Sequence, residues 1–261
     1  MKHKFILYVI VGVLLFAACG KHEQAEQHEG DSAPTATTLK IDEANAGTIS
    51  GKVNFSGAAP AGRPIDMSAT PECAAAHKTP LFAEDVVVNG NHTLKNAFVW
   101  VKSGLPEGTW SVPAAPAVLD QNGCVYSPRV LGVMVNQPVR FENNDPTNHN
   151  IHPLPRINRE WNESQPPHGE GKVKQFDKPE VMVPVKCNIH PWMRAYIGVV
   201  SHPFFAVTGD DGSFSIKGLP PGKYTVEAWH ERYGTKDLEI TITPKENKTI
   251  DFDFKAASAM N

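Results

Sequence analysis

Short runs of alternating apolar and polar residues recur along the chain from Gly47 onward. Thr48-Ile-Ser-Gly-Lys-Val-Asn-Phe55 has the two-residue period of a half-buried strand. Asp85 to Leu94 reads as strand, Asn89-Gly90 turn and return strand, and Ala97 to Lys102 alternates again. Ala117 to Asp120, Val130 to Val135, Pro138 to Glu142 and Glu180 to Lys186 are further strand candidates. Ala195 to Thr208 supplies two more, and Gly209 to Trp229 reads as turn, strand, turn, strand. Pro106 to Pro116 is a Pro-rich crossing. Pro153 to Pro179 has little apolar period and is long for a plain connection, so it predicts a loop near a functional site. Twenty-two Pro and 20 Gly supply the turns that an all-β chain needs.

The first residues follow another rule. Lys2-His-Lys4 precedes an apolar run from Phe5 to Phe16, which is too short for the roughly twenty residues of a bilayer-spanning helix. Residues 1–18 therefore read as an export signal. Ala17-Ala18-Cys19 resembles a bacterial lipobox, with Phe16 where that motif prefers Leu. The resemblance implies lipidation at Cys19 and, because Gly20 follows, a periplasm-facing anchor in the outer membrane; a plain secretory signal is the alternative. Residues 19–46 are poor in large apolar side chains and read as a disordered tether. Without the leader, 23 basic residues face 28 acidic ones, a net charge near minus five, which argues against nucleic acid as a partner.

Chemistry concentrates in Cys187-Asn-Ile-His190-Pro-Trp-Met193, which places a thiol, an imidazole and a thioether within seven residues. That donor set suits copper: thiolate and imidazole bind strongly, a thioether can sit axially, and a second His is required from elsewhere. His149 supplies it, following the strand Pro138 to Glu142 and the turn residues Asn143 to Asn148; His152 is the runner-up. Zinc fits less well: a lone Cys-x-x-His is at most half a zinc site, and the pair of Cys or pair of His at short spacing that such sites use is not found beside Cys187. The loop, together with Asn143-Asn144 and His149-Asn150, resembles the ligand segments of the cupredoxins, the amicyanin kind in particular, over about Gly132 to Val200. The resemblance implies one type-1 mononuclear copper with His149, Cys187 and His190 as equatorial ligands, Met193 as axial ligand, and Asn150 steadying the thiolate. Trp161 either covers the site or anchors its loop. With Cys19 assigned to lipid and Cys187 to copper, Cys73 and Cys124 remain as a pair in an oxidising compartment, where a disulfide is expected. The competing reading joins Cys73 with His77 in a second metal or redox site.

Asp211-Gly212-Ser-Phe214, Pro220-Pro-Gly222 and Tyr224-Thr-Val226 resemble the carboxypeptidase regulatory-like, transthyretin-type sandwich, and Gly51-Lys-Val53 resembles its opening strand. The expected fold is all-β: a cupredoxin-like Greek-key β sandwich plus a second, transthyretin-like or carboxypeptidase regulatory-like β sandwich. Residues 47–116 form an N-terminal β segment, 117–200 the copper domain, 201–254 the regulatory-like sandwich and 255–261 a tail. The two sandwiches are either sequential or nested, residues 48–102 pairing with 203–254 in the second case. His202, His230 and Glu231 receive no role. No nucleophile triad, phosphate-cradling loop or carboxylate pair stands out. His-x-His pairs are missing, and Pro191 stands where a binuclear copper site needs its second Cys. The expected function is periplasmic electron transfer between redox proteins, without catalysis. A copper storage or delivery protein and a cell-surface binding module are the alternatives.

Overall fold

A computed structural model describes residues 37–256. The leader, Cys19 and the first part of the tether lie outside the described residues, as do residues 257–261. Among the described residues the alternating runs become nineteen strands, and the single helix is Pro71–Ala75. The chain is all-β, with its sheets packed as sandwiches around separate apolar cores.

One sandwich is built from both ends of the described chain. Gly47–Ser56 pairs antiparallel with Ser213–Leu219 and parallel with Asn247–Thr249 and Phe252–Lys255. Facing it, Phe98–Ser103 lies between Phe205–Val207 and Gly222–His230, and Gly234–Ile242 completes that sheet. Ile49, Val53 and Phe55, the apolar members of the first alternating run, are buried against Val99, Val101, Phe204, Phe252 and Phe254. Each such side chain contributes roughly 1.5–3 kcal/mol of burial.

The second sandwich comes from the middle of the chain. His149–Pro153, Glu180–Lys186, Arg194–Val200 and Val130–Met134 lie side by side, with Glu163–Gln165 at the edge. The opposing sheet runs Lys172–Lys174, Val139–Asn143, Ala117–Gln121, Tyr126–Ser127. Leu119, Val139, Phe141, Ile151, Val183, Val185 and Ile197 fill the space between. Its interface with the first sandwich depends on two glycines paired in register, Gly132 and Gly198. A Cβ on Gly132 would stand 2.4 Å from the Phe205 ring, and one on Gly198 would stand 2.7 Å from Phe98. Phe98 and Phe205, ring centroids 5.7 Å apart, fill the flat place the glycines leave.

Three local outcomes differ from the sequence pattern. The end of the expected tether is structured: Thr38–Leu39 pairs with Thr109–Trp110, and Leu39 and Ile41 pack on the first core, because these are its two large apolar residues. Asp85 to Leu94 turns at Asn89-Gly90 but makes only isolated bridges, Val88 to Leu94 and Asn54 to Thr93. The loop from 153 to 179 holds two short edge strands, whose mixed polar residues hide the period.

Candidate metal centre

Register brings the candidate ligands together. Glu180–Lys186 and Arg194–Val200 are antiparallel neighbours with Lys186 opposite Arg194, so residues 187–193 form the loop of a hairpin. On the other side Lys186 lies opposite His152, which brings the start of His149–Pro153 beside Cys187. The turn before that strand is shaped by Asn143, whose amide donates to the carbonyls of Thr147 and Pro166 at 3.0 and 2.8 Å. His149, Cys187, Met193 and His190 are all buried, at 0, 1, 1 and 2% exposure.

His149 Nδ1 and His190 Nδ1 are 2.8 Å apart, and Cys187 Sγ is 3.8 Å from His190 Nδ1. The ligand atoms of these three residues all lie within 4.8 Å of one another. Two imidazole nitrogens and one sulfur at such spacing fit a single ion, since metal to nitrogen distances near 2.0–2.1 Å place two nitrogens about 3 Å apart. Met193 is packed in the same core, and its N–H donates to the His190 carbonyl at 3.0 Å, closing the loop. Asn150 Oδ1 accepts from the Asn188 N–H at 2.6 Å and lies 3.3 Å from Cys187 Sγ. His152 stands apart, bonded to Asn188 Oδ1 at 3.1 Å and Glu160 Oε1 at 2.7 Å.

Asp145 is a member of the site that the sequence pattern did not bring forward. Its Oδ2 is 2.8 Å from His149 Nε2, and its carboxylate also accepts the N–H groups of Gly123 and Cys124 at 2.5 and 2.8 Å. Burial pushes the Asp145 carboxyl up, but the bond from His149 and these two backbone bonds outweigh it and hold it below the usual range. Burial likewise disfavours protonated His149, yet the Asp145 bond and the Cys187 sulfur win and raise it. The Cys187 thiol is pushed up by burial and brought below its ordinary value by His149 and nearby backbone N–H groups. His190 is lowered by burial and then by the charge of His149.

A disulfide joins Cys73 and Cys124, with Cα atoms 5.5 Å apart, and Cys73 Sγ lies 3.7 Å from His190 Nε2. Cys124, Asp145 and His149 also cluster, but the Cys124 sulfur is committed to the disulfide. Trp192 donates from Nε1 to the Cys124 carbonyl at 2.9 Å, and its ring centroid is 5.1 Å from that of His190. His77 Nε2 bonds the Gly123 carbonyl at 2.7 Å. Trp161 meets Phe141 edge-on at 5.3 Å and anchors its loop on the sandwich. Glu231 pairs with Arg129 at 2.7 Å, away from the cluster.

The family profile of the carboxypeptidase regulatory-like domain matches residues 194–255. No curated protein matches the chain. Among solved structures, the copper-containing nitrite reductase of Thermus scotoductus is 23% identical over 38% of this chain and 26% of its own, at a TM-score of 0.30. The chain thus spans about a quarter of that enzyme's length. A mutant amicyanin in its Cu(I) form is 21% identical over 34% of this chain and 86% of its own, at 0.29. A purple cupredoxin from Nitrosopumilus maritimus is 21% identical over 32% and 98%, at 0.28.

Proposed function

We propose that this chain is an exported, lipid-anchored copper protein that passes single electrons between redox proteins of the periplasm. The observation that carries the reading is the buried convergence of His149 Nδ1, His190 Nδ1 and Cys187 Sγ. Copper held by these three atoms, with Met193 as the axial donor, would supply one-electron exchange between its two oxidation states. The chain's own part is to present a fixed donor set. Asp145 holds the proton of His149 on Nε2 and so leaves Nδ1 as the donor atom. Asn150 ties the loop backbone at Asn188 beside the sulfur. The hairpin ends, Pro191 and the packing of Trp192 on His190 stiffen the loop between them. In this reading the chain carries electrons and transforms no substrate.

Burial of every candidate ligand favours retention over delivery, because a delivery protein must offer exchangeable ligands to its client. The test is one visible and one paramagnetic resonance spectrum of the copper(II)-loaded protein. An intense visible thiolate-to-copper band is expected. A colourless copper(II) adduct would overturn the reading. Reductive loss of copper to a moderate-affinity acceptor would make delivery the better one. For the anchor, labelled fatty acid should enter the wild type and not Cys19→Ser.

A further inference from the structure

We propose that the cleft beside Trp192 is a docking site for an acidic protein surface. This deepens the electron-transfer reading by naming its partner's chemistry, and it rests on that reading only for what the docking achieves. None of the four candidate ligands is more than 2% exposed. The outer edge of His190 is covered by Cys73 Sγ at 3.7 Å, and Trp192, half-buried, packs against the same imidazole. Trp192 also lines a cleft of about 350 Å³ with Arg63, Asp85, Arg129, Arg194, Glu231 and Arg232.

The charges in this cleft do not balance. Arg129 is neutralised by Glu231 through two bonds, at 2.7 and 2.8 Å, and both side chains are largely buried. Arg63 and Arg232, with side chains 69 and 63% exposed, share Asp85 at 3.7 and 3.9 Å, the outer limit of an ion pair. Arg194 is exposed and has no carboxylate partner among the described residues. Three exposed guanidinium groups therefore face one carboxylate, on a chain whose net charge is -3. A positive patch on an acidic protein steers an acidic partner to one place, and planar guanidinium forks suit carboxylates. Phe82, 50% exposed, lines the adjoining cleft with Trp192, Arg129 and Arg194, and the exposed Glu84 there is accompanied by Lys95, so an apolar contact stands beside the charges without reversing their sign. A closed cage for a small anion is a poorer fit, because the unbalanced arginines are exposed and the buried one is already paired.

The experiment uses the isotope-labelled full chain without added metal, so that failure of the copper reading and failure of this one are separable. A hexa-aspartate peptide is titrated at low ionic strength, and hexacyanochromate(III), a paramagnetic anion, in a second series. The expected result is that the Trp192 indole N–H and the Arg194 amide respond first to both probes. The response should weaken several-fold in the double variant Arg194→Ala with Arg232→Ala, and should survive Lys223→Ala, an exposed control at the opposite end of the strand Gly222–His230 from Arg232. Signals responding first elsewhere, or an effect insensitive to the double substitution, would overturn the proposal. Binding of the inorganic anion without the peptide would overturn it in favour of a small-anion site.

Discussion

Asp145 decides which nitrogen of His149 is available. With the carboxylate held ionised and 2.8 Å from Nε2, the imidazole proton belongs on Nε2 and the lone pair faces His190. Asp145→Asn keeps the shape but can place an N–H where the oxygen was. Copper(I) affinity should fall about 10- to 100-fold, as for other groups that orient a ligand; an unchanged competition titration would count against this role. His149→Ala should abolish the visible chromophore while His152→Ala leaves it, since His152 is held by Asn188 and Glu160. The reverse pattern would reassign the ligand. Cys187 and His190 stood out in the sequence because they share a seven-residue loop with Met193, where donor chemistry alone is informative, and the structure brings their donor atoms together with those of His149. Asp145 lies four residues before His149 in a turn, so proximity was available as a signal. Its two backbone bonds to Gly123 and Cys124 were not, because they arise only when distant strands meet.

At the scale of elements, the short helix Pro71–Ala75 and its flanks depend on the disulfide to stay on the second core. Residues 65 to 81 contribute few large apolar side chains there: Ile65, Met67 and Leu81 pack beside Cys73 and Cys124. The bridge joins residues 51 apart in sequence, and removing it frees a correspondingly long loop in the unfolded chain. Cys73→Ser with Cys124→Ser should lower stability by roughly 2–4 kcal/mol, read as a lower denaturant midpoint with a steeper slope, because the freed unfolded chain exposes more surface. A midpoint that does not move would show that the helix is held by its packing alone. Strands whose alternation survives in the sequence, such as 47–56 and 180–186, were readable because each buries one face. Glu163–Gln165 and Lys172–Lys174 were not: they are short edge strands whose side chains are mostly polar, and pairing to His149–Pro153 and Val139–Asn143 defines them.

For the whole molecule, both nested and sequential orders were open in the sequence, and the pairing of Gly47–Ser56 with strands after Ser213 is nested. No local pattern encodes a choice between partners some two hundred residues away. That sandwich also holds two buried histidines, His202 and His230, that belong to neither candidate metal group found among the described residues. His202 Nδ1 accepts from the Phe204 N–H at 3.2 Å, and His230 Nδ1 accepts from the Arg232 N–H at 3.2 Å, so each is bound as the neutral ring. Burial lowers both from an ordinary value of 6.5 to about 4, with the Arg129 charge adding to the effect on His230. Between those two values the unfolded chain takes up protons that the folded one refuses. The stability these groups confer is therefore complete above pH 6.5 and is lost progressively as pH falls toward 4. By about pH 5 the loss should be on the order of 2 kcal/mol for each histidine. Denaturant midpoints measured at neutral pH and near pH 5 should differ accordingly, and His202→Asn, which keeps an acceptor but cannot titrate, should remove about half of the difference. A midpoint flat across this range would mean that the rings are protonated or hydrated in the folded state.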